Sequence, residues 1–137
     1  MEFNDCLQAG MTGERTALVT ENLSAQAWGS GGLPVYASPA MFALMEGACV
    51  DAVDHALPQG FSTVGTALSA SHTAATPVGM QVRATGTLLS IEGRKLCFQV
   101  AAFDQSGKIG EGTHSRFIIE NEPFLKKAQA KREAAGA

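Results

Sequence analysis

Glu46 is the residue of this 137-residue chain that is best placed to do chemistry. It lies in the middle of residues 38–55, which we predict to form a helix that is apolar on nearly every side. We expect other structure to wrap such a helix. A carboxylate inside it must then be hydrogen-bonded, paired with a charge or protonated, because burying an isolated charge costs several kcal/mol. Proteins that keep such a group often use it in chemistry, here as a general base or a transient nucleophile.

Local sequence signals mark the two ends of this helix. Ser38 is expected to be its N-cap, and Pro39 suits the first helical position, where the missing N–H loses no hydrogen bond. Pro58 and Gly60 are expected to end it. A glycine-rich break over residues 28–34 separates the helix from a first strand, which we predict over residues 13–23.

After the helix, the sequence predicts four strands and a terminal helix. The strands are expected at residues 61–73, 80–91, 94–104 and 109–119, and a polar helix at 121–134. Because the turns between these strands are short, each strand is expected to be the antiparallel neighbour of the next. Alternation predicts one apolar face on each of the last two strands: Leu96, Phe98, Val100 and Ala102, then Ile109, Thr113, Phe117 and Ile119.

This order of elements predicts an α+β protein with the hot-dog fold, in which an antiparallel sheet of about five strands wraps around one long central helix. The length favours a single domain over residues 1–137, with its core at about 13–120. Such a sheet covers only part of the helix and leaves an edge strand open. A homodimer that continues the sheet, or a tetramer of such dimers, would solve both problems.

Composition argues against several other classes of protein. A net charge of −3 gives no footprint for nucleic acid, and no run reaches the roughly 18 apolar residues of a membrane span. The first ten residues lack the basic region of a signal peptide. Three cysteines without CxxC spacing indicate reduced thiols in a cytoplasmic protein, and the histidines and acids show no metal-ligand spacing. There is no GxSxG nucleophile motif either.

Four stretches resemble the fluoroacetyl-CoA thioesterase-like family of hot-dog proteins. They are SPAMFALMEGA (38–48), TVGTALSASHTAATPVGMQV (63–82), EGRKLCFQVAAFD (92–104) and IGEGTHSRFII (109–119). The family has a hydroxyl at the helix start, a carboxylate eight residues on, and a histidine on the next strand. The resemblance therefore implies that Ser38, Glu46 and His72 are catalytic, and that Gly65 and Arg116 bind the substrate.

The resemblance implies an acyl-CoA thioesterase, for which coenzyme A is part of the substrate and no cofactor is needed. Thioester hydrolysis needs an activated water or nucleophile, a group that moves protons, and donors for the oxyanion. Glu46 and His72 suit the first two tasks. The hydroxyl of Ser38 and the amide of Gly65 can polarise the carbonyl. The sequence does not separate direct attack by water from an acyl-enzyme on Glu46.

Simpler interpretations stay open at each position. Ser38 can be only a cap, Glu46 a structural acid, His72 a strand-end residue, Gly65 a bulge and Arg116 a surface residue. The alternative function is a non-catalytic hot-dog dimer that binds acyl-CoA or another apolar ligand.

The segment before the helix departs from the family. The family prototype has aromatic side chains there as a lid over the fluorinated acyl group, whereas WGSGGLPVY (28–36) has glycines. We therefore expect a thioesterase that is not specific for fluoroacetyl-CoA. Arg83, Arg94 and Lys95 are candidates to bind the CoA phosphates, but the sequence does not bring them together.

The spacing of Ser38 and Glu46 poses a geometric problem. Eight residues of helix correspond to a rise of about 12 Å and a rotation of about 80°. Either residues 38–40 fold back, or water and substrate bridge the gap, or the site combines groups from two subunits. We favour a site shared between subunits.

Overall fold

Alternating strand residues and one long apolar segment assemble into a five-stranded sheet with a helix on one face. The computed structural model describes residues 3–136. Its strands and helices are β1 Thr12–Leu18, α1 Ala25–Trp28, α2 Ser38–Val53, β2 Phe61–His72, β3 Gln81–Glu92, β4 Lys95–Asp104, β5 Gly107–Glu120 and α3 Asn121–Ala134. Within residues 3–136, no helix combines the length and the apolar character needed to cross a membrane.

The strand order is β1-β3-β4-β5-β2, with every neighbouring pair antiparallel. The two predicted hairpins β3–β4 and β4–β5 are confirmed: Gly93 lies in the first turn with φ of 65°, and Gly107, with φ of 148°, begins β5 directly after the second. The prediction that β2 lies beside β3 is wrong, since β2 pairs with β5 at the opposite edge of the sheet.

The segment 73–80 between β2 and β3 is therefore a crossover rather than a hairpin turn. Backbone bonds hold it across the end of the sheet: Thr73 donates to Ile109, Tyr36 donates to Thr76, and Gly79 donates to Val19, each at 2.8 Å. Pro77 and Gly79 suit a crossover as well as a turn, so the sequence signal could not separate the two.

The inward faces of β4 and β5 differ in composition: the first is apolar and the second is partly polar. On β4 the predicted apolar face is confirmed, because Leu96, Phe98, Val100 and Ala102 are all buried. On β5 the prediction is wrong beyond Ile109: the residues that turn inward are His114, Arg116 and Ile118, while Phe117 is 41% exposed. Two polar side chains thus occupy positions that hydrophobicity alone assigns to solvent.

Two boundaries also differ from the predictions. The first strand ends at Leu18 instead of residue 23, and a 3-10 turn over Glu21–Leu23 and the short helix α1 follow it. Helix α2 ends at Val53 and continues as a 3-10 turn over Asp54–Ala56. The terminal helix α3 has the predicted range.

Helix α2 packs on β1 and β3 at a pair of glycines. Gly13 and Gly86 are partners in the β1–β3 ladder. A Cβ on Gly13 would lie 2.6 Å from the amide nitrogen of Ala52, and one on Gly86 would lie 2.7 Å from Sγ of Cys49. The absence of side chains therefore lets the helix backbone lie directly on the sheet, which sets the depth of every residue on α2.

We predict that Gly13→Ala lowers the free energy of unfolding by about 1–3 kcal/mol, because the new methyl group forces the helix away from the sheet. Urea unfolding monitored by circular dichroism measures this change. Gly32→Ala is the matched control, since a Cβ there meets no atom within 4 Å. Equal stabilities of the two variants would contradict the role given to the glycine pair.

Candidate functional site

Glu46 lies on the side of α2 that faces the edge of the sheet at β2 and β5. Its Oε2 is 3.8 Å from Nη1 of Arg116 and 3.7 Å from Nε2 of His114. The expectation that the carboxylate is enclosed is wrong for a single chain, because its side chain is 43% exposed. The sheet covers the Met45 and Cys49 side of the helix and stops short of Glu46.

Arg116 is buried with its guanidinium held on three sides. Its Nε donates to Oγ1 of Thr63 at 2.7 Å, and its Nη2 donates to the Thr63 carbonyl at 2.8 Å. Thr63 in turn donates its hydroxyl proton to Asp54 at 2.6 Å. A buried guanidinium needs such partners because an unpaired buried charge is very costly. The third side of the guanidinium faces His114 and Glu46.

His114 was not identified as a site residue from the sequence, yet it is 2% exposed and adjoins Glu46 and Arg116. Its Nδ1 lies 2.8 Å from the carbonyl oxygen of Ala67, which can only accept, so Nδ1 carries the proton. Burial lowers the pKa of His114, and the ring is neutral at pH 7. The sequence signal that could have identified His114 is its alternation with Arg116 on one face of β5. Hydrophobicity alone assigned that face to solvent.

Gly65 makes room for the carboxylate. A Cβ at this position would lie 2.6 Å from Oε2 of Glu46 and 3.2 Å from Cε1 of His114. The ladder between β2 and β5 also shifts register between Gly65 and Ala67, so a bulge lies here. The bulge interpretation of this glycine is therefore confirmed, whereas contact between its amide and a substrate stays a prediction.

Ser38 and His72 form a second group. Oγ of Ser38 is 2.7 Å from Nδ1 of His72, a hydrogen-bond distance. The predicted N-cap role of Ser38 is wrong: Ala37 is the cap residue and Ser38 is the first residue of a regular helix. The chain therefore does not fold back over residues 38–40, which removes one of the three solutions to the spacing problem.

The ring of His72 has an unused nitrogen. Within residues 3–136, the buried Nε2 has no hydrogen-bond partner. Burial lowers the pKa of His72 and outweighs the opposite effect of a backbone hydrogen bond with Ala74, so the neutral ring predominates at pH 7. A buried polar atom without a partner is unusual in a folded protein, and a role in a functional site is one explanation for it.

A cavity of about 320 Å³ adjoins Ser38 and His72. Its wall includes residues 30–33 of the glycine-rich segment and Tyr36, whose ring meets that of His72 edge-on at a centroid distance of 6.3 Å. Burial raises the pKa of Tyr36 to about 12, which keeps its hydroxyl protonated. This volume is in the range of small-molecule sites.

One chain thus carries two separate groups: Ser38 with His72, and Glu46 with Arg116 and His114. Among the hydrogen bonds and ion pairs of residues 3–136, none joins the two groups. The separation follows from a regular helix, whose rise between Ser38 and Glu46 is about 12 Å. In the part of the chain that is described, no group of three His, Cys, Asp or Glu side chains is arranged to hold a metal ion.

Comparison with known proteins gives concordant results. Residues 19–122 match the model of a family described as fluoroacetyl-CoA-specific thioesterase. The fluoroacetyl-CoA thioesterase of Streptantibioticus cattleyicolor is similar to this chain, with 45% identity over 100 residues, or 73% of this chain and 72% of that protein.

Solved structures are similar over almost the whole length. A crystallised fluoroacetyl-CoA thioesterase superposes with a TM-score of 0.86 at 35% identity, over 91% of this chain and 97% of that one. A variant of that enzyme in complex with acetyl-CoA superposes with a TM-score of 0.86 at 36% identity, over 91% of this chain and 98% of the variant. A hot-dog-like protein from Thermanaerovibrio acidaminovorans superposes with a TM-score of 0.85 at 22% identity, over 96% of this chain and 97% of that one. This similarity supports the hot-dog fold.

We predict that Thr63→Val lowers the free energy of unfolding by about 1–3 kcal/mol, because it leaves Nε of the buried Arg116 and a carboxylate oxygen of Asp54 without their partner. The side chains are nearly equal in volume, so packing is preserved. Thr66→Val is the control, since it removes an exposed hydroxyl. Urea titration of both variants gives the comparison, and equal losses would show that the buried network contributes nothing.

Proposed function

Because the chain belongs to the fluoroacetyl-CoA-specific thioesterase family and has a hot-dog fold, we propose that it hydrolyses an acyl-CoA thioester to a free acid and coenzyme A. The observation that carries this proposal is the Ser38–His72 hydrogen bond of 2.7 Å at the wall of a cavity of about 320 Å³. A neutral imidazole hydrogen-bonded to a hydroxyl at a cavity wall is suited to moving protons near neutral pH. Coenzyme A enters as part of the substrate, and the proposed reaction uses no resident cofactor.

The side chains supply each requirement of the reaction. In the direct route, Glu46 or His72 takes a proton from water as its oxygen adds to the thioester carbonyl carbon. The hydroxyl of Ser38 and the amide of Gly65 donate to the resulting oxyanion. Collapse of the tetrahedral intermediate breaks the C–S bond, and the CoA thiolate takes the proton back.

A covalent route fits the same groups. The carboxylate of Glu46 attacks the carbonyl carbon, the CoA thiolate leaves, and water then hydrolyses the acyl-Glu46 anhydride. Arg116, 3.8 Å from the carboxylate, orients it and compensates its charge in either route.

We further propose that the working site is shared by two copies of the chain. Strand β2 is an edge of the sheet, twelve residues long and without proline or lysine, the residues that usually protect an edge. Gly65, beside Glu46, lies in the first half of β2, and His72 ends it. Antiparallel pairing of two β2 strands about a point between Leu68 and Ser69 would bring Gly65, beside Glu46 of one copy, opposite His72 of the other.

The cavity favours an acyl group other than fluoroacetyl. Gly31 and Gly32 line it with Leu33 and Val35, and Tyr36 is its aromatic wall residue. Glycines leave space that a small two-carbon acyl group does not fill. We therefore propose a broader acyl specificity, with fluoroacetyl-CoA given no advantage over acetyl-CoA.

We predict that Glu46→Gln and His72→Ala each lower kcat by about 10²–10⁴-fold, because each removes a group that moves protons or attacks the carbonyl. The loss of kcat is measured from the release of CoA thiol, which DTNB detects, with acetyl-, fluoroacetyl-, butyryl- and hexanoyl-CoA as substrates. Glu21→Gln and His55→Ala are the controls, since both side chains are exposed and, within residues 3–136, neither makes a hydrogen bond or ion pair with a site residue.

The same panel tests the alternative and the specificity. Binding of acyl-CoA without cleavage would replace the enzyme with a non-catalytic binding module. Wild-type turnover in both site variants would refute the assigned residues, and a strong preference for fluoroacetyl-CoA would refute the broader specificity.

We predict that mixing two inactive variants, Glu46→Gln and His72→Ala, restores activity. If Glu46 and His72 of one site come from different chains, half of the randomly mixed dimers contain one intact site, which gives roughly a quarter of wild-type turnover. Light scattering must first give twice the chain mass of 14.2 kDa.

A matched pair of variants makes this test sharp. Ser38 and His72 are hydrogen-bonded within one chain, so Ser38→Ala mixed with His72→Ala should show no recovery beyond the residual rates. Absence of recovery with Glu46→Gln as well would mean that one chain provides the complete site.

A further inference from the structure

His114 is held in one tautomer by the β-bulge of β2. The register shift between Gly65 and Ala67 brings the Ala67 carbonyl oxygen within 2.8 Å of Nδ1. Phe98 packs beside the ring at a centroid distance of 6.3 Å. The carbonyl fixes the proton on Nδ1, so the lone pair of the neutral ring lies on Nε2.

That lone pair meets the guanidinium of Arg116. Nη1 of Arg116 is 3.1 Å from Nε2, close enough to donate one of its two protons. The same Nη1 is 3.8 Å from Oε2 of Glu46. Thr63 fixes Nε and Nη2, and His114 fixes Nη1, so the plane of the guanidinium is determined on both sides.

We propose that His114 is a positioning residue, which holds Arg116 Nη1 toward the carboxylate of Glu46 and thereby sets the orientation of that carboxylate for thioester hydrolysis. This inference rests on the proposed function of Glu46. His114 itself needs no contact with the substrate and no change of protonation during turnover. A nitrogen with a lone pair is required at this position, because an N–H there would face the N–H of Arg116, and two donors repel and form no hydrogen bond.

Two substitutions separate the two nitrogens of the ring. The amide of Asn reaches about as far as Nδ1, so His114→Asn keeps a donor for Ala67 and loses the acceptor for Arg116. The amide of Gln reaches about as far as Nε2, so His114→Gln keeps that acceptor. We expect His114→Asn to lower kcat roughly 10- to 100-fold with KM nearly unchanged, and His114→Gln to restore most of it. Urea unfolding of both variants shows whether activity merely follows stability.

A double-mutant cycle shows whether His114 acts through Arg116. Arg116→Lys keeps the charge and loses the planar fork that His114 orients. We expect His114→Asn to have little further effect on kcat in the Arg116→Lys background. Additive losses in this cycle, or losses in His114→Gln as large as in His114→Asn, would overturn the inference.

Glu46→Gln, assayed alongside, separates this inference from the proposed function. If Glu46→Gln keeps wild-type turnover, the proposed function fails. If Glu46→Gln loses activity while His114→Asn keeps it, only the positioning role of His114 fails.

Discussion

The guanidinium of Arg116 is the constraint around which this part of the protein is organised. A buried positive charge is tolerated only with hydrogen bonds and a nearby negative charge. Thr63 provides the hydrogen bonds, Asp54 holds Thr63, and the carboxylate of Glu46 lies 3.8 Å away. Removing one member of this set leaves another without a partner, so these residues must be considered together.

The same constraint explains why Gly65 and the bulge after it are where they are. The carboxylate of Glu46 must approach the guanidinium from the helix side, across the path of β2. A Cβ at residue 65 would lie only 2.6 Å from Oε2 and would displace the carboxylate. The bulge then turns the Ala67 carbonyl toward His114, which completes the support of Arg116. The bulge in the edge strand β2 thus leaves space for the carboxylate of Glu46 and provides a hydrogen-bond acceptor for His114.

Much of the fold follows from pattern in the sequence. The long apolar helix and the five strands were predicted because apolar spacing and turn residues mark them directly. The pairing of β2 with β5 was missed, because Pro77 and Gly79 suit a crossover as well as a turn. The inward face of β5 was missed for another reason: the polar side chains of His114 and Arg116 face the core and are hydrogen-bonded to each other, so hydrophobicity assigns the wrong face of the strand to the core.

The candidate site was only partly predictable, for a physical reason. Ser38, Glu46, His72, Gly65 and Arg116 came from the resemblance to a family, whereas Thr63, Asp54 and His114 become visible only through their contacts. Helix geometry already required Ser38 and Glu46 to be far apart, and the structure keeps α2 regular from Ser38 to Val53. A regular helix cannot bring both ends of the constellation to one point within its own chain. The half-exposed carboxylate of Glu46 and the open edge of β2 lie on the same side of the molecule, which is where the second copy of the proposed shared site would pack.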